Sequence, residues 1–289
     1  MGSPERIVVL GIDAAWTVRR PSGVALVVRE GARRRTLACA PCEAAFVALA
    51  RGESAERSQR PECGALDLGA LVDAAAELAG APPDAIGVDM PLARGPFASR
   101  RAADDAVSRA FGRAKCATHS PLPGRPGALA DAVREAAEER GYLLATTTWE
   151  VGCGARALLE VYPHAALLGP CDADERLPYK VSRSSKLWPG TSVAERVERL
   201  LEPFRRIVDA LRPHVGDAPL ELPRAEDVRT LAELKRWEDA LDARVCAYAA
   251  AAFVDGDAEP FGDDFAAIWV PRLSCERVSR RAPRARAVP

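Results

Sequence analysis

The sequence predicts an α/β fold, a mixed five-stranded sheet flanked by helices on both faces. Three observations carry this. The β-branched run 6–12 (RIVVLGI) is followed by apolar runs at 22–29 and 34–40, the last two joined by the turn Glu30-Gly31-Ala32-Arg33, which reads as an antiparallel meander. Two further short buried strands follow at 85–90 and 157–162, and Pro91 and Pro163 bound them. Between and after these strands the apolar spacing changes to that of helices.

The elements follow in order. Residues 65–79 place Leu68, Leu71, Val72, Ala75 and Leu78 on one helical face, and Gly80 with Pro82-Pro83 ends that helix. A polar, helix-rich insertion runs over about 94–156, with its clearest helix at 128–140. A second, irregular insertion covers about 169–233. Residues 234–253 form the strongest helix of the chain, with Leu234, Trp237, Leu241, Val245 and Tyr248 in one stripe. Residues 265–270 (FAAIWV) have the composition of a last strand. We expect one domain over 1–275 carrying both insertions, and a basic, disordered tail over 276–289.

Composition narrows the function classes. Hydrophobic residues make up 48% of the chain, enough for a large core. The 40 Lys and Arg nearly cancel the 41 Asp and Glu, so nucleic-acid binding would have to rest on local patches. The basic residues are mostly Arg and Ala is abundant, as in GC-rich bacterial genes. No apolar run approaches the ~20 residues of a membrane span. The start MGSPERIVVL continues into Gly11-Ile12-Asp13 and does not read as a signal peptide, so a cytoplasmic protein with reduced thiols is expected. Cys39 and Cys42 form one CxxC pair, without the second pair that a structural zinc site needs; their role stays open.

The informative acids are those that interrupt apolar elements. Asp13 ends the first strand, Asp89 ends the fourth and Glu160 lies within the fifth. A buried carboxylate is costly unless it is paired or bound to a cation. Strand-end caps would explain any one of these; three together point to a site. Asp242 lies on the shoulder of the last helix, with Glu238 nearer its apolar stripe and Asp239 further toward solvent.

Gly11-Ile12-Asp13-Ala14-Ala15, Gly87-Val88-Asp89-Met90-Pro91-Leu92, Glu160-Val161-Tyr162-Pro163 and Glu238-Asp239-Ala240-Leu241-Asp242-Ala243 occur in that order. With Arg101-Ala-Ala-Asp104 and Tyr179-Lys180 they resemble the domain-of-unknown-function family 429, described as predicted RNase H-like nucleases. The layout is also similar to that of Holliday-junction resolvases. The resemblance covers about 7–270 and implies an RNase H-like sheet and a carboxylate site for Mg²⁺ or Mn²⁺, which prefer oxygen ligands. It implies hydrolysis of phosphodiesters in RNA, DNA or a hybrid. On this reading Asp13 bridges two ions, Asp89 and Glu160 hold one each, and Asp242 with Asp239 behind it completes the second. Lys180 either contacts a phosphate, orients water or is a solvated loop residue.

Local charge fits such a partner. Seven basic residues stand between Arg94 and Arg125 against Asp104 and Asp105, and four stand between Arg176 and Lys186 with no acid. Both segments follow a strand that carries a site acid. Trp188, Tyr179 and Phe111 in these segments either stack on bases or pack in the core. His164 and His119 either move protons or are structural. Two rival classes remain. An actin-like or sugar-kinase-like phosphotransferase would share the meander, with Asp13-Ala-Ala-Trp-Thr17 as its first phosphate loop, but the second Gly-rich turn is absent at Glu160-Val-Tyr-Pro. An inactive RNase H-like scaffold would keep the fold without metal. Oligomeric state is not legible.

Overall fold

The computed structural model describes residues 6–53, 65–97, 99–122, 124–150, 154–217 and 220–273. The expected disordered tail at 276–289 lies outside the described residues. The chain opens with β1 (Arg6–Asp13), β2 (Gly23–Glu30) and β3 (Arg33–Ala40), paired antiparallel in sequence order. Helices α1 (Glu43–Ala50) and α2 (Leu68–Ala79) lead to β4 (Ala85–Val88), which pairs parallel with β1. α3 (Ala102–Phe111), α4 (Ala128–Glu139) and the short β5 (Tyr142–Leu144) precede β6 (Arg156–Val161), which runs parallel to β4. The short α5 (Pro163–Ala166) and α6 (Ser184–Leu187) and the long α7 (Val193–Val215) and α8 (Leu231–Val254) follow, before the closing hairpin of β7 (Ala258–Gly262) and β8 (Ala267–Pro271).

All eight strands among the described residues lie in one sheet, ordered β3-β2-β1-β4-β6-β8-β7, so the expected count of five is corrected. The additions have a physical reason for escaping notice. β5 is only three residues long and pairs with the start of β6, on the edge that β8 takes further along. β7 (AEPFG) carries Pro and Gly, which suit an edge strand and mask its periodicity.

Strand alternation divides the core in two. Val8, Leu10 and Ile12 pack with Phe46 of α1, Leu71 of α2 and Val133 of α4. Ile7 and Val9 face the other way, toward α3, α7 and α8. Helices therefore cover both faces of the sheet.

The segment 169–233, expected to be irregular, contains the 23-residue α7. Ser192 caps it and Glu195 closes the capping box, while Val197, Leu200, Leu201, Phe204, Ile207, Leu211 and Val215 form its buried stripe. Pro203 and Pro213 inside the helix break its sequence signature. α7 in turn covers α8, which is buried almost all round from Glu238 to Phe253 and is the central helix rather than a one-sided amphipathic one.

Candidate functional site

Gly11 and Asp13 on β1, and Gly87 and Asp89 on β4 and just beyond it, repeat one local pattern. Residues two apart on a strand share a face, and here that face looks toward α8. Gly11 and Gly87 are α-carbon partners across the parallel pair, and the amide of Asp89 donates to the Ile12 carbonyl at 2.9 Å. Asp13 and Asp89 are thereby set side by side at the ends of neighbouring strands. The glycines let the helix backbone rest on the sheet. A Cβ at Gly11 would lie 2.1 Å from the Ala243 carbonyl oxygen, and one at Gly23 would lie 2.1 Å from that of Asp239. This close approach carries the acids of α8 to the same end of the sheet.

On α8 the acids already have partners. Asp242 accepts a 2.6 Å bond from the Tyr179 hydroxyl on Oδ1 and an ion pair from Lys180 on Oδ2. Glu238 accepts from the Val181 amide at 2.5 Å, and its other oxygen lies 3.1 Å from Lys235 and 3.7 Å from Lys180. Asp239 pairs with Lys235. Burial works against both lysine cations, but the surrounding carboxylates prevail and raise both pKa values above the ordinary lysine range.

Asp13 and Asp89 are different. Their side chains make no hydrogen bond or ion pair among the described residues. Burial, reinforced by the negative charge of Asp242, raises the Asp13 carboxyl well above its ordinary range despite Lys180 and Lys235. The Asp89 carboxyl is pushed up to about 7 by burial, with Lys180 opposing and Asp242 and Glu160 adding to the rise. The two nearby ammonium groups are thus too little positive charge for these acids.

Glu160 does not join them in this arrangement. Its α-carbon partner on β4 is Val88, one residue short of Asp89. That offset puts it on the face of Leu158, while Leu159 and Val161 face α8. Both its oxygens are held by Arg101, at 2.6 and 2.7 Å, and one also accepts from the Leu92 amide at 2.7 Å. Arg101 is shared with Asp104 in a buried triad. Burial disfavours the Arg101 cation, but the two carboxylates hold it charged. The motif Arg101-Ala-Ala-Asp104 opens α3, with Asp104 accepting from the Arg101 backbone amide at 2.9 Å, and is also the clamp on Glu160.

Asp13 lies in a cleft of about 1110 Å³, also lined by Trp16, Arg19, Arg20, Arg125, Arg196, Lys235, Arg236 and Asp239. Its lining is strongly cationic around two acids. His119 and Ser182, Ser184 and Ser185 also line it, so parts of both basic segments reach it. Arg19, Arg20, Arg196 and Arg236 escaped the sequence reading because no local run marks them; the β1–β2 connection, α7 and α8 bring them together. Trp188 lies under Arg199, Phe111 packs edge-on against Phe261, and Tyr179 is buried on Asp242. His164 is buried between Tyr162 and Tyr179, and burial with nearby Lys180 and Arg176 keeps it neutral. Cys39 and Cys42 are buried thiols; Cys39 donates to the Ala240 carbonyl.

Among the described residues no three His, Cys, Asp or Glu side chains form a ready-made metal cage. Mg²⁺ does not need one, since it is commonly bound by one or two carboxylates together with substrate phosphates and water. Asp13 and Asp89, without a side-chain partner among the described residues and at the ends of neighbouring strands, could hold an ion in that way, with Asp13 at the cleft. Glu160 and Asp242, with both oxygens engaged, do not complete a second ion site in this arrangement.

A family model described as "Protein of unknown function (DUF429)" matches residues 11–267. No curated protein and no solved structure matches the chain significantly.

Proposed function

The chain belongs to the DUF429 family, and we propose that it is a divalent-metal-dependent phosphodiesterase acting on nucleic acid. The observation that carries this reading is the Asp13 carboxylate, unpartnered among the described residues, at the strand end beside that of Asp89 and facing a cleft lined by cations. An RNase H-like fold is consistent with the antiparallel β3-β2-β1 run that continues into parallel β4 and β6.

Asp13 and Asp89 would hold Mg²⁺ or Mn²⁺. When bound, the ion supplies Lewis-acid charge to a phosphodiester and lowers the pKa of water. The remaining work belongs to the chain. Arginines of the cleft bind and orient the phosphate backbone. Lys180 and Tyr179 hold Asp242 in place, where its charge strengthens the hold on a cation. Arg101 fixes Glu160, and through the Leu92 amide and carbonyl it fixes the chain that follows Asp89.

The test is a screen of single-stranded, duplex, hybrid and junction oligonucleotides with Mn²⁺, using wild type beside Asp13→Asn. Hydrolysis by wild type that falls by orders of magnitude in the variant supports the proposal. Equal cutting by both proteins, or cutting of no substrate, sinks it. ATP turnover without oligonucleotide cutting would favour the phosphotransferase reading.

A further inference from the structure

We propose that the cleft takes a single-stranded nucleic acid and that Trp16 is the platform on which one of its bases stacks, an inference that rests on the reading of the cleft as a nucleic-acid site. Trp16 follows Asp13 by three residues in the connection between β1 and β2, and it lines the same cleft. Its indole Nε1 donates to the Asp89 carbonyl at 3.2 Å. That bond anchors one edge of the ring beside the strand end that carries the second free acid. The ring is half-buried, and the Arg125 guanidinium lies over it, 5.9 Å from the ring centroid.

The ring is anchored at one edge and packs in part on the core, so an unpaired base stacks by entering between the ring and the exposed Arg125 side chain, which moves out to cover the other face of the base. Around it stand cations that suit a phosphate backbone, Arg19, Arg20 and Arg196 among them. Stacking is blind to base identity, so the platform selects for strandedness and not for sequence. In a duplex each base is covered by its neighbours and the phosphates face outward. A duplex therefore cannot put a base on Trp16 while offering the adjoining phosphodiester to Asp13, a few residues away. A single strand can do both.

The experiment measures binding by fluorescence anisotropy in EDTA, so that cleavage plays no part. The probes are a labelled single-stranded 10-mer, a hairpin duplex of the same composition and an abasic 10-mer, each with wild type, Trp16→Ala and Trp16→Phe. The single strand should bind wild type at least tenfold more tightly than the duplex or the abasic strand. Trp16→Ala should weaken single-strand binding about tenfold without changing duplex binding, and Trp16→Phe should restore most of the loss. Equal binding of the single strand by wild type and Trp16→Ala overturns the inference. So does equal binding of natural and abasic strands, duplex binding as tight as single-strand binding, or no single-strand binding at all. A strand that binds through Trp16 but is not cut with Mn²⁺ overturns only the phosphodiesterase reading. Cutting that does not depend on Trp16 overturns only this inference.

Discussion

Gly11 and Gly87 face each other as α-carbon partners across β1 and β4, and two residues beyond them stand Asp13 and Asp89. The repeated Gly-x-Asp is therefore one device used twice. The glycine admits the backbone of α8, and the acid two residues on meets what that helix brings.

The close approach makes the glycines sensitive. Alanine at Gly11 would place its Cβ 2.1 Å from the Ala243 carbonyl oxygen and 2.2 Å from the Ala247 amide nitrogen. Neither backbone atom can rotate away, so α8 must shift. We expect Gly11→Ala to cost about 3 kcal/mol in urea unfolding. A stability equal to wild type would mean that the helix does not lie as close as described.

The Arg101 clamp gives a second prediction. Removing its guanidinium leaves Glu160 and Asp104 buried without a counter-charge, so Arg101→Ala should lose about 3–5 kcal/mol. Glu160→Gln should lower Tm yet leave Mn²⁺ affinity unchanged, because Glu160 is engaged with Arg101 and Leu92. Loss of Mn²⁺ binding in Glu160→Gln would return this residue to the ligand set.

Much of this was readable from the sequence, and the exceptions have definite causes. The meander, β4, β6, α2 and α8 stand out because their periodicity or β-branched density is uninterrupted. Asp13 and Asp89 stand out because each ends such a run. Glu160 looked equivalent, but whether a strand acid joins its neighbours depends on register. Its pairing with Val88 rather than Asp89 is a one-residue offset that no local pattern reveals. The pairing of Lys180 with Asp242 joins residues 62 apart in sequence, whereas Lys235 pairs with Glu238 and Asp239 at ordinary helical spacing, where a Lys or Arg partner on the same helix is expected.

Lys180 yields a third prediction. Lys180→Met removes the cation from Asp242, which is fully buried. In EDTA the variant should be destabilised by about 3–5 kcal/mol. Saturating Mn²⁺ should then raise its Tm by more than it raises that of wild type, because the ion takes over part of the lost charge. Equal increments in the two proteins would show that Lys180 and the ion do not share the same acids.

The fourth concerns pH in the metal-free protein. Asp89 titrates near 7 when folded and near the ordinary carboxylate value when unfolded. Between those values the folded state holds the proton that the unfolded state has released. Stability contributed by this group is present at low pH and lost as pH rises to about 7, by up to about 1.4 kcal/mol per pH unit. Asp89→Asn cannot ionise, so its stability should fall less over that window and exceed that of wild type above pH 7. Parallel pH profiles for the two proteins in EDTA would contradict the burial of an unpaired carboxyl at this position.

The central claim is that Asp13 and Asp89 together receive a divalent cation, and calorimetric titration of the metal-free protein with Mn²⁺ tests it most directly. Wild type is predicted to bind one ion per chain, Asp13→Asn and Asp89→Asn each to lose that binding while remaining folded by circular dichroism, and Glu160→Gln to keep it. Binding by Asp13→Asn that equals wild type, or no binding by wild type, would contradict the account.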